Sequence, residues 1–145
     1  MIQRFKEAQK RDYEQACREL RNGHKTSHWI WYIFPQLKGL GYSSTAQYYG
    51  LDGVEEAKEY IADKELHDNL VKISQILVDL NAPDIVRVMG HIDAMKLKSS
   101  MTLFYLISKE PIFKQVLDMY FGGQMCQKTM DMVGSSEKTL KNLEK

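Results

Sequence analysis

The sequence predicts an all-α protein, folded as a single compact domain of about seven to eight helices, several of them short. Three observations support this prediction. Apolar residues recur at helical spacing along most of the 145 residues. Ser, Asp, Pro and Gly stand where helices would begin or end. The one stretch that could also form a strand has no evident partner strand elsewhere in the chain.

Length and composition exclude several classes of protein. A chain of this length corresponds to one domain and can bury about 68–70% of its unfolded surface, so it needs no disulfide or metal to maintain a core. Cys17 and Cys126 are far apart and lack a CxxC spacing. With no signal peptide evident, we expect a reduced, cytoplasmic setting. No apolar run approaches the roughly 18–20 residues of a membrane span, so we expect no membrane association.

The charge is nearly balanced overall but unevenly distributed. A net charge of +1 provides no electrostatic footprint for nucleic acid, so no nucleic-acid partner is expected. Residues 1–50 carry eight Lys and Arg against four Asp and Glu, whereas residues 51–100 carry six against ten. This asymmetry allows a positive pocket for an anion, although solvated helix faces would explain it equally well.

The N-terminal segment is predicted to form two helices. A short first helix spans Ile2 to Gln9. Asp12 is expected to cap a second helix, which ends at Asn22-Gly23. Cys17 falls on the buried face of this second helix, where a free thiol behaves as a small hydrophobic group.

The stretch of residues 23–36 contains both tryptophans and two of the four histidines. Its apolar residues fit either the alternation of a strand or one turn of a helix, and periodicity alone cannot separate the two. Because the flanking segments are helical, we expect a short helix that begins near Ser27. Phe34 should be extended because Pro35 follows it.

Capping residues mark three helices in the middle of the chain. Ser43 or Ser44 can cap a short helix that runs to Tyr49. The segment Asp52–Glu55 has the spacing of a capping box. Asp63 can cap the next helix. That helix carries the longest apolar stripe in the chain: Leu66, Leu70, Ile73, Ile76, Leu77 and Leu80.

Turn residues divide the remainder of the chain. Residues 81–83 restart a short helix that stops at Gly90, and Asp93 is expected to cap a longer helix ending near Ser108. Pro111 suits the first position of the following helix.

The C-terminal end is predicted to separate into a last helix and a tail. Gly122-Gly123 closes the preceding helix, and a further short helix spans Met125 to Val133. We therefore expect the domain to comprise residues 1–134 and the lysine-rich residues 135–145 to form a frayed tail.

Two groups of polar residues could carry chemistry. The first group lies in the aromatic stretch and consists of Lys25, Ser27, His28, Trp29 and Gln36. The second group lies on and before the predicted helix from Asp93 and consists of His91, Asp93, Lys96, Ser99, Ser100 and Thr102. Burial of such groups costs free energy unless hydrogen-bond partners are supplied.

Lys96, Ser99 and Ser100 share one helical stripe and could bind an oxyanion. The lysine would act as a point charge, and the two hydroxyls would donate hydrogen bonds. The same serines could equally point to solvent or bond to the carbonyl four residues earlier, so a purely structural interpretation stays open.

His28 and Asp93 are the candidates for acid–base chemistry, because histidine and carboxylate groups transfer protons near neutral pH. Trp29 or Trp31 could present a flat surface to a nucleobase or sugar, although core packing is the alternative. The remaining candidates for ligand binding are Lys25, Ser27, Gln36 and Thr102.

Neither a metal site nor a cysteine nucleophile is predicted. His24 and His28 are four residues apart, but Gly23 makes His24 a loop residue and no acidic residue lies close by. Cys126 has no basic or histidine neighbour in the sequence to lower its pKa, although the fold could supply one. Phosphate-loop, dinucleotide-binding and zinc-protease motifs are absent from the sequence, and no cofactor is predicted.

Four strings of this sequence resemble the family called domain of unknown function 1810. They are RFKEAQ at Arg4–Gln9, SHWIWYIFPQLKGLG at Ser27–Gly41, EEAKEYI at Glu55–Ile61 and DAMKLKSSMTLF at Asp93–Phe104. The resemblance runs from Arg4 to about Val133 and implies a small, all-α, intracellular protein without an established activity. Family members are sometimes labelled calpastatin. Inhibitors of that type are extended, largely disordered chains. This sequence instead predicts regular amphipathic helices throughout, so the label does not fit it.

Two functional hypotheses follow, together with a purely structural interpretation of His28 and Ser100 as hydrogen-bonded scaffold. In the first, the two groups of polar residues meet and form a pocket for a small anionic ligand of nucleotide or phosphate type, with or without catalysis. In the second, the aromatic stretch is exposed and binds another protein through a large apolar patch. The sequence does not determine the oligomeric state.

Overall fold

Nine α-helices form the part of the chain that the structure describes, which is the backbone of residues 1–143 and the side chains of residues 1–138. In this computed structural model, residues 1–143 contain no β-strand beyond an isolated bridge between Leu37 and Leu51. The predicted all-α, single-domain fold is confirmed. In chain order the helices are α1 (Gln3–Arg21), α2 (Ile30–Ile33), α3 (Ser44–Tyr49), α4 (Gly53–Ala62), α5 (Lys64–Leu80), α6 (Ile85–Met89), α7 (His91–Ser108), α8 (Pro111–Phe121) and α9 (Gln127–Leu143).

Helix α7 lies at the centre of the core. It packs against α2, α4, α6, α8 and α9, while α1 and α5 pack on each other and α5 also contacts α8. Leu97, Met101 and Phe104 are fully buried, and so are the polar residues Ser100 and Thr102. A helix enclosed on nearly all sides needs apolar residues around its circumference, which explains the weak amphipathic pattern of α7.

Helix α1 runs without a break, so the predicted division at Asp12 was wrong. The residues on either side of Asp12 keep one continuous buried face, from Phe5 and Ala8 to Tyr13. Asp12 does not cap a helix, because its carboxylate accepts a hydrogen bond from the Tyr32 hydroxyl. That partner comes from a distant part of the chain and could not be seen in the local sequence.

Helix α2 is a single turn that begins at Ile30, three residues later than predicted. The Glu19 carboxylate accepts hydrogen bonds from the backbone N–H groups of Thr26 (2.7 Å) and Ser27 (2.9 Å). These bonds hold the chain outside a helix until Trp29. Phe34 leaves the helix with φ −124° and ψ 77°, so it avoids the α region that the following proline disfavours but is not fully extended as predicted.

Two predicted caps are confirmed. The Ser43 hydroxyl accepts a hydrogen bond from the Ala46 N–H (3.1 Å) at the start of α3. The Asp63 carboxylate accepts one from the Leu66 N–H (3.1 Å) at the start of α5. Both follow the local capping pattern.

The predicted capping box at Asp52–Glu55 was wrong. Within residues 1–138, the Asp52 side chain makes no capping hydrogen bond to α4. Instead, Glu56 accepts the backbone N–H of Asp52 (2.9 Å), because Glu56 is buried and already turned toward this corner by Arg4.

Helices α6 and α7 each differ from prediction at their start. The Asp84 carboxylate accepts the Val86 N–H (2.9 Å) and starts α6, a cap that the sequence analysis missed. Helix α7 begins at His91, directly after Gly90, and Asp93 lies in its first turn rather than before it. The carboxylate of Asp93 is turned toward Lys25 instead of the helix end. The predicted end at Ser108 is confirmed.

The last two helices show one agreement and one difference. Helix α8 begins at Pro111 and is closed by Gly122, whose φ of +61° favours glycine, as predicted. Helix α9 continues to Leu143, past the expected end at Val133. Residues 135–143 of the predicted tail therefore continue a helix, while residues 144–145 lie outside the described residues. Among the helices described, none combines the length and apolar character needed to cross a membrane.

Candidate functional site

The two groups of polar residues meet in the fold through an ion pair between Lys25 and Asp93. Lys25 Nζ lies 2.7 Å from Asp93 Oδ2, and only 4% of the Lys25 side chain is exposed. The same ammonium donates to the backbone oxygen of Ser27 and lies 4.6 Å from the centre of the Trp29 ring. Lys25 therefore joins the loop before α2 to the first turn of α7.

A buried glutamate that the sequence analysis missed organises this loop. Glu19 accepts hydrogen bonds from the backbone of Thr26 and Ser27 and from Trp29 Nε1 (3.1 Å). Burial alone would raise the pKa of Glu19, but these bonds outweigh it and lower the pKa to about 2. A charged residue on the apolar face of α1, beside Leu20, was the available sequence signal.

Trp31 forms another contact between the aromatic stretch and the second group of polar residues, this time with Lys96. Lys96 Nζ lies 4.7 Å from the centre of the Trp31 ring, so α2 and α7 share a cation–π contact. Trp29 is 1% exposed and is a core residue rather than a stacking surface. The buried Trp31 Nε1 has no hydrogen-bond partner among residues 1–138.

A surface cleft of about 380 Å³ lies where α7 begins, next to the start of α9. Its polar lining consists of Gln36, His91, Lys96, Ser99, Cys126 and Lys128. Its apolar lining consists of Leu40, Ile92 and Met95. Three of the predicted ligand-binding residues, Gln36, Lys96 and Ser99, thus meet at one surface.

The cleft is electropositive. Two lysines and a histidine line it, and none of the described residues that form its walls is acidic. Two helices of 18 and 17 residues, α7 and α9, also begin at its edge and present N-terminal N–H groups there. The aligned peptide dipoles place partial positive charge at such ends.

The predicted lysine–serine stripe is divided by the fold. Ser99 lines the cleft, and its hydroxyl lies 3.1 Å from the Met95 backbone oxygen and 3.4 Å from Cys126 Sγ. Ser100 faces the core instead, and its hydroxyl has no hydrogen-bond partner in the described side chains. Ser99 and Ser100 are consecutive, so their side chains point about 100° apart around the helix axis, one toward the cleft and one toward the core.

Thr102 supports the site rather than facing the cleft. Its hydroxyl donates to the Lys98 backbone oxygen (2.8 Å) and accepts the backbone N–H of Cys126 (3.0 Å). This second bond fixes the start of α9 against α7.

The two acid–base candidates, His28 and Asp93, lie outside the cleft lining. His28 is exposed, and its imidazole makes no hydrogen bond to any residue that the structure describes. Asp93 is engaged with Lys25. Lys25, Ser27 and Trp29 form the hydrogen-bonded support beneath the site.

Cys126, which precedes α9 directly, is the main lining residue that sequence reasoning missed. Burial would raise the pKa of its thiol, but contacts from the Ser99 and Thr129 side chains and from backbone N–H groups at the start of α9 lower the pKa overall. Ser99 lies 27 residues away in sequence, so no local pattern indicates this environment. The described residues contain no group of three or more His, Cys, Asp or Glu side chains that could hold a metal.

Similarity to known proteins identifies the family of this chain. A search of curated proteins finds no match. Among solved structures, the chain is similar to the conserved hypothetical protein Rv1873 from Mycobacterium tuberculosis, with a TM-score of 0.89 and 35% sequence identity. The match covers 92% of this chain and 96% of that protein. The family model described as "Protein of unknown function (DUF1810)" matches residues 1–133, and the chain therefore belongs to the DUF1810 family, as its strings predicted.

Proposed function

We propose that this protein binds a small anionic ligand of nucleotide or phosphate type in the cleft between the start of α7 and the start of α9. One observation carries the proposal. Lys96, Lys128 and His91 line the cleft, and no carboxylate stands among the described residues of its walls. An anion in this position meets positive charge from several directions without like-charge repulsion.

The polar groups of the cleft divide into charges and neutral partners. Lys96 and Lys128 act as point charges toward a phosphate or carboxylate. The Ser99 hydroxyl and the Gln36 amide can donate hydrogen bonds that orient the anion. The N-terminal ends of α7 and α9 reinforce the preference for negative charge.

The apolar wall gives the ligand a second requirement. Leu40, Ile92 and Met95 also line the cleft, with Ile92 and Met95 on the same helix as Lys96 and Ser99, and Ile92 is 70% exposed. The volume of about 380 Å³ lies at the lower end of the roughly 300–1,000 Å³ typical of small-molecule sites. A ligand that joins an anionic group to a flat or apolar group, such as a base or sugar, can contact both the charged and the apolar residues of the lining.

The Lys25–Asp93 pair supports this proposal as scaffold. Because it fixes the first turn of α7, it sets the position from which His91 and Lys96 reach the cleft. The proposal assigns no proton transfer to His28 or Asp93, and it is a proposal of binding.

The alternative of a protein-interaction module receives less support from the structure. It requires an exposed aromatic stretch, but Trp29, Tyr32, Ile33 and Phe34 are all buried. Their apolar area stabilises the core and cannot be offered to a partner.

The test is a thermal-shift and calorimetry screen with ADP-ribose, ADP and inorganic phosphate. A ligand at a hundred times its dissociation constant adds about 2.7 kcal/mol of stability, or roughly 5–10 °C for a domain of this size. Lys128→Gln should weaken binding by roughly tenfold or more, because it removes a charged hydrogen-bond donor. Lys96→Arg should retain binding, since it keeps the charge.

Lys10→Gln provides the matched control. Lys10 is an exposed lysine on α1 that does not line the cleft, so its replacement changes net charge equally without touching the site. Equal affinity loss in Lys10→Gln and Lys128→Gln would contradict a site at this cleft. A screen in which no anion shifts the melting temperature would contradict the proposal as a whole.

A further inference from the structure

We infer that Cys126 is a site of reversible thiolation, at which the sulfur exchanges with a small disulfide that carries carboxylate groups. The inference extends the proposed function, since it uses the same electropositive cleft to recruit the disulfide. It names a covalent step at a residue to which the binding proposal gives no chemical role.

The sulfur stands in a position built from two helices. Cys126 lines the cleft and directly precedes α9, with the Met130 N–H bonded to its carbonyl oxygen (3.0 Å). Its own N–H is held by Thr102 Oγ1 at 3.0 Å. The backbone at the thiol is therefore fixed on both sides, and Sγ is oriented toward the cleft wall that includes Ser99.

Ser99 can stabilise the sulfur as a thiolate. Its hydroxyl lies within reach of both the Met95 oxygen (3.1 Å) and Cys126 Sγ (3.4 Å) and has one proton to donate. With a neutral thiol the Ser99 hydroxyl can keep donating its hydrogen bond to the Met95 carbonyl oxygen. With a thiolate it can turn to the sulfur, where a charged acceptor makes the stronger bond.

Thr129 gives a second and independent indication. This residue is fully buried, and its hydroxyl makes no hydrogen bond of normal geometry among residues 1–138. It stands three residues after Cys126 in the first turn of α9, a spacing that makes the two side chains neighbours on the helix, and it helps to lower the pKa of the thiol. A buried hydroxyl without a partner costs free energy, and negative charge on the adjacent sulfur supplies the missing acceptor.

The second cysteine of the chain is an internal control. Cys17 is 1% exposed within the core, and burial raises the pKa of its thiol. Both cysteines are free, so each could react if reactivity depended on the presence of a thiol alone. The two thiols differ in exposure and in the charges around them: Cys17 lies in the core, whereas Cys126 lines the cleft that contains Lys96 and Lys128.

The reaction is a thiol–disulfide exchange in which atoms and electrons balance. The Cys126 thiolate attacks one sulfur of the disulfide RSSR, forming a bond from Sγ to that sulfur while the original S–S bond breaks. The electron pair of the broken bond leaves with the other half as RS⁻. Cys126 is oxidised to the mixed disulfide, one half of RSSR is reduced, and a second thiol reverses the step.

The charge of the cleft selects the disulfide. Lys96 and Lys128 attract carboxylates on the organic part and repel ammonium groups. Two probes with the same S–S chemistry and opposite charge separate this effect from general reactivity: oxidised glutathione, which carries carboxylates, and cystamine, which carries only amines.

The experiment treats the folded full-length chain with each probe and measures the rates by intact-mass spectrometry and peptide mapping. We expect one glutathionyl group, on Cys126, with Cys17 reacting on the order of 100-fold more slowly because a buried thiol must wait for local opening. Cys17→Ser should react as the parent does, and Cys126→Ser should be modified only at the slow rate of Cys17. In denaturant both cysteines should react.

The charge selection has its own variant. In Lys96→Gln/Lys128→Gln, the ratio of the glutathione to the cystamine rate constant should fall by about tenfold, while Lys10→Gln leaves it unchanged. A folded chain in which Cys126 remains unmodified overturns the inference. So does modification at Cys17 first, or a rate ratio that the double variant does not change.

Failure of this inference can be told from failure of the proposed function. If the parent binds ADP-ribose but is never thiolated, only the inference fails. If Cys126 reacts with the expected charge preference and no phosphate or nucleotide binds, the inference stands and the proposed function fails.

Discussion

Arg4 and Glu56 form a two-point ion pair between the start of α1 and the first turn of α4. Arg4 Nη1 lies 2.9 Å from Glu56 Oε2, and Arg4 Nη2 lies 2.7 Å from Glu56 Oε1. Only 11% and 10% of the two side chains are exposed. Arg4 also donates to the backbone oxygens of Tyr48 (2.8 Å) and Gly50 (3.0 Å), which fastens α3 to the same corner.

Arg4→Ala should destabilise the protein by about 3–5 kcal/mol, because it leaves the Glu56 carboxylate buried without its partner. Urea denaturation measures this change. Lys64→Ala is the control: Lys64 pairs with Asp68 at 2.9 Å but is 90% exposed, so the loss should stay within about 0.5 kcal/mol. Similar losses in the two variants would show that the Arg4 pair is not protected from solvent.

Acid should weaken the fold through two carboxylates. The bonds from Arg4 lower the pKa of Glu56 to about 2, and Glu19 has a pKa of about 2 as well, against an ordinary value of 4.5. A lowered pKa gives stability that is present above the ordinary value and is lost as the pH falls through the lowered one. The free energy of unfolding should therefore decline from about pH 5 to pH 2.

The steepness with which the free energy of unfolding falls with acid tests the role of Glu56. Glu56→Gln cannot titrate at this position, so its stability should fall less steeply with acid than that of the parent, whatever its stability at neutral pH. Glu14→Gln, on the exposed face of α1, should retain the parental slope. Parallel curves for Glu56→Gln and the parent would contradict the assignment.

The Lys25–Asp93 pair should behave as scaffold in a double-mutant cycle. Asp93→Asn leaves a nearly fully buried ammonium unpaired and should cost about 3–5 kcal/mol. Lys25→Met/Asp93→Asn should recover a large part of that loss, because no buried charge is left over. Thermal and urea unfolding of Asp93→Asn, Lys25→Met and the double variant measures the coupling. Additive losses would show that the two groups act independently.

His67 should make the free energy of unfolding fall as the pH rises above 6.5, the ordinary pKa of the imidazole. Its Nδ1 lies 2.9 Å from Asp68 and its Nε2 lies 2.7 Å from Glu110, and these two carboxylates raise the pKa of the imidazole above 6.5. The protonated ring links α5 to the residue before α8. A raised pKa gives stability that is complete below the ordinary value and is lost as the pH rises through the raised one.

NMR titration of the His67 ring protons measures this pKa directly. His67→Asn should flatten the stability profile above about pH 6.5, whereas His24→Gln, at an exposed position, should not. A His67 titration at or below 6.5 would contradict the role of the two carboxylates.

His28→Ala tests whether this histidine is scaffold. The imidazole is exposed and unbonded within the described side chains, so the free energy of unfolding should change by less than about 0.5 kcal/mol. Binding of anions at the cleft should also be unchanged, since His28 does not line it. A large loss of stability would support the structural interpretation of this residue instead.

The parts of the fold that depend on local rules could be predicted from the sequence. Gly122, Pro111, Ser43 and Asp63 act through their own backbone or their immediate neighbours, and the structure confirms each of them. The break at Asp12 was predicted wrongly because its partner, Tyr32, arrives only through tertiary packing. A polar residue inside a helix looks like an end until such a partner is known.

The candidate site shows the same division. Gln36, Lys96 and Ser99 could be singled out because they stand in distinctive polar strings. Cys126 and Lys128 could not, because their environment is assembled from α7 and α9 across more than 25 residues of sequence. The buried charge of Glu19 was missed for a related reason: its partners lie in a loop that follows the helix.

The hydrogen bond from the Cys126 N–H to Thr102 has a mechanical consequence. It pins one end of α9, a helix of 17 residues and therefore roughly 25 Å long, to the central helix. Helix α9 also packs along α7 and contacts α4, so this bond and those contacts together set its direction. A group added at Cys126 would therefore stand directly beside the bond that joins the start of α9 to the central helix.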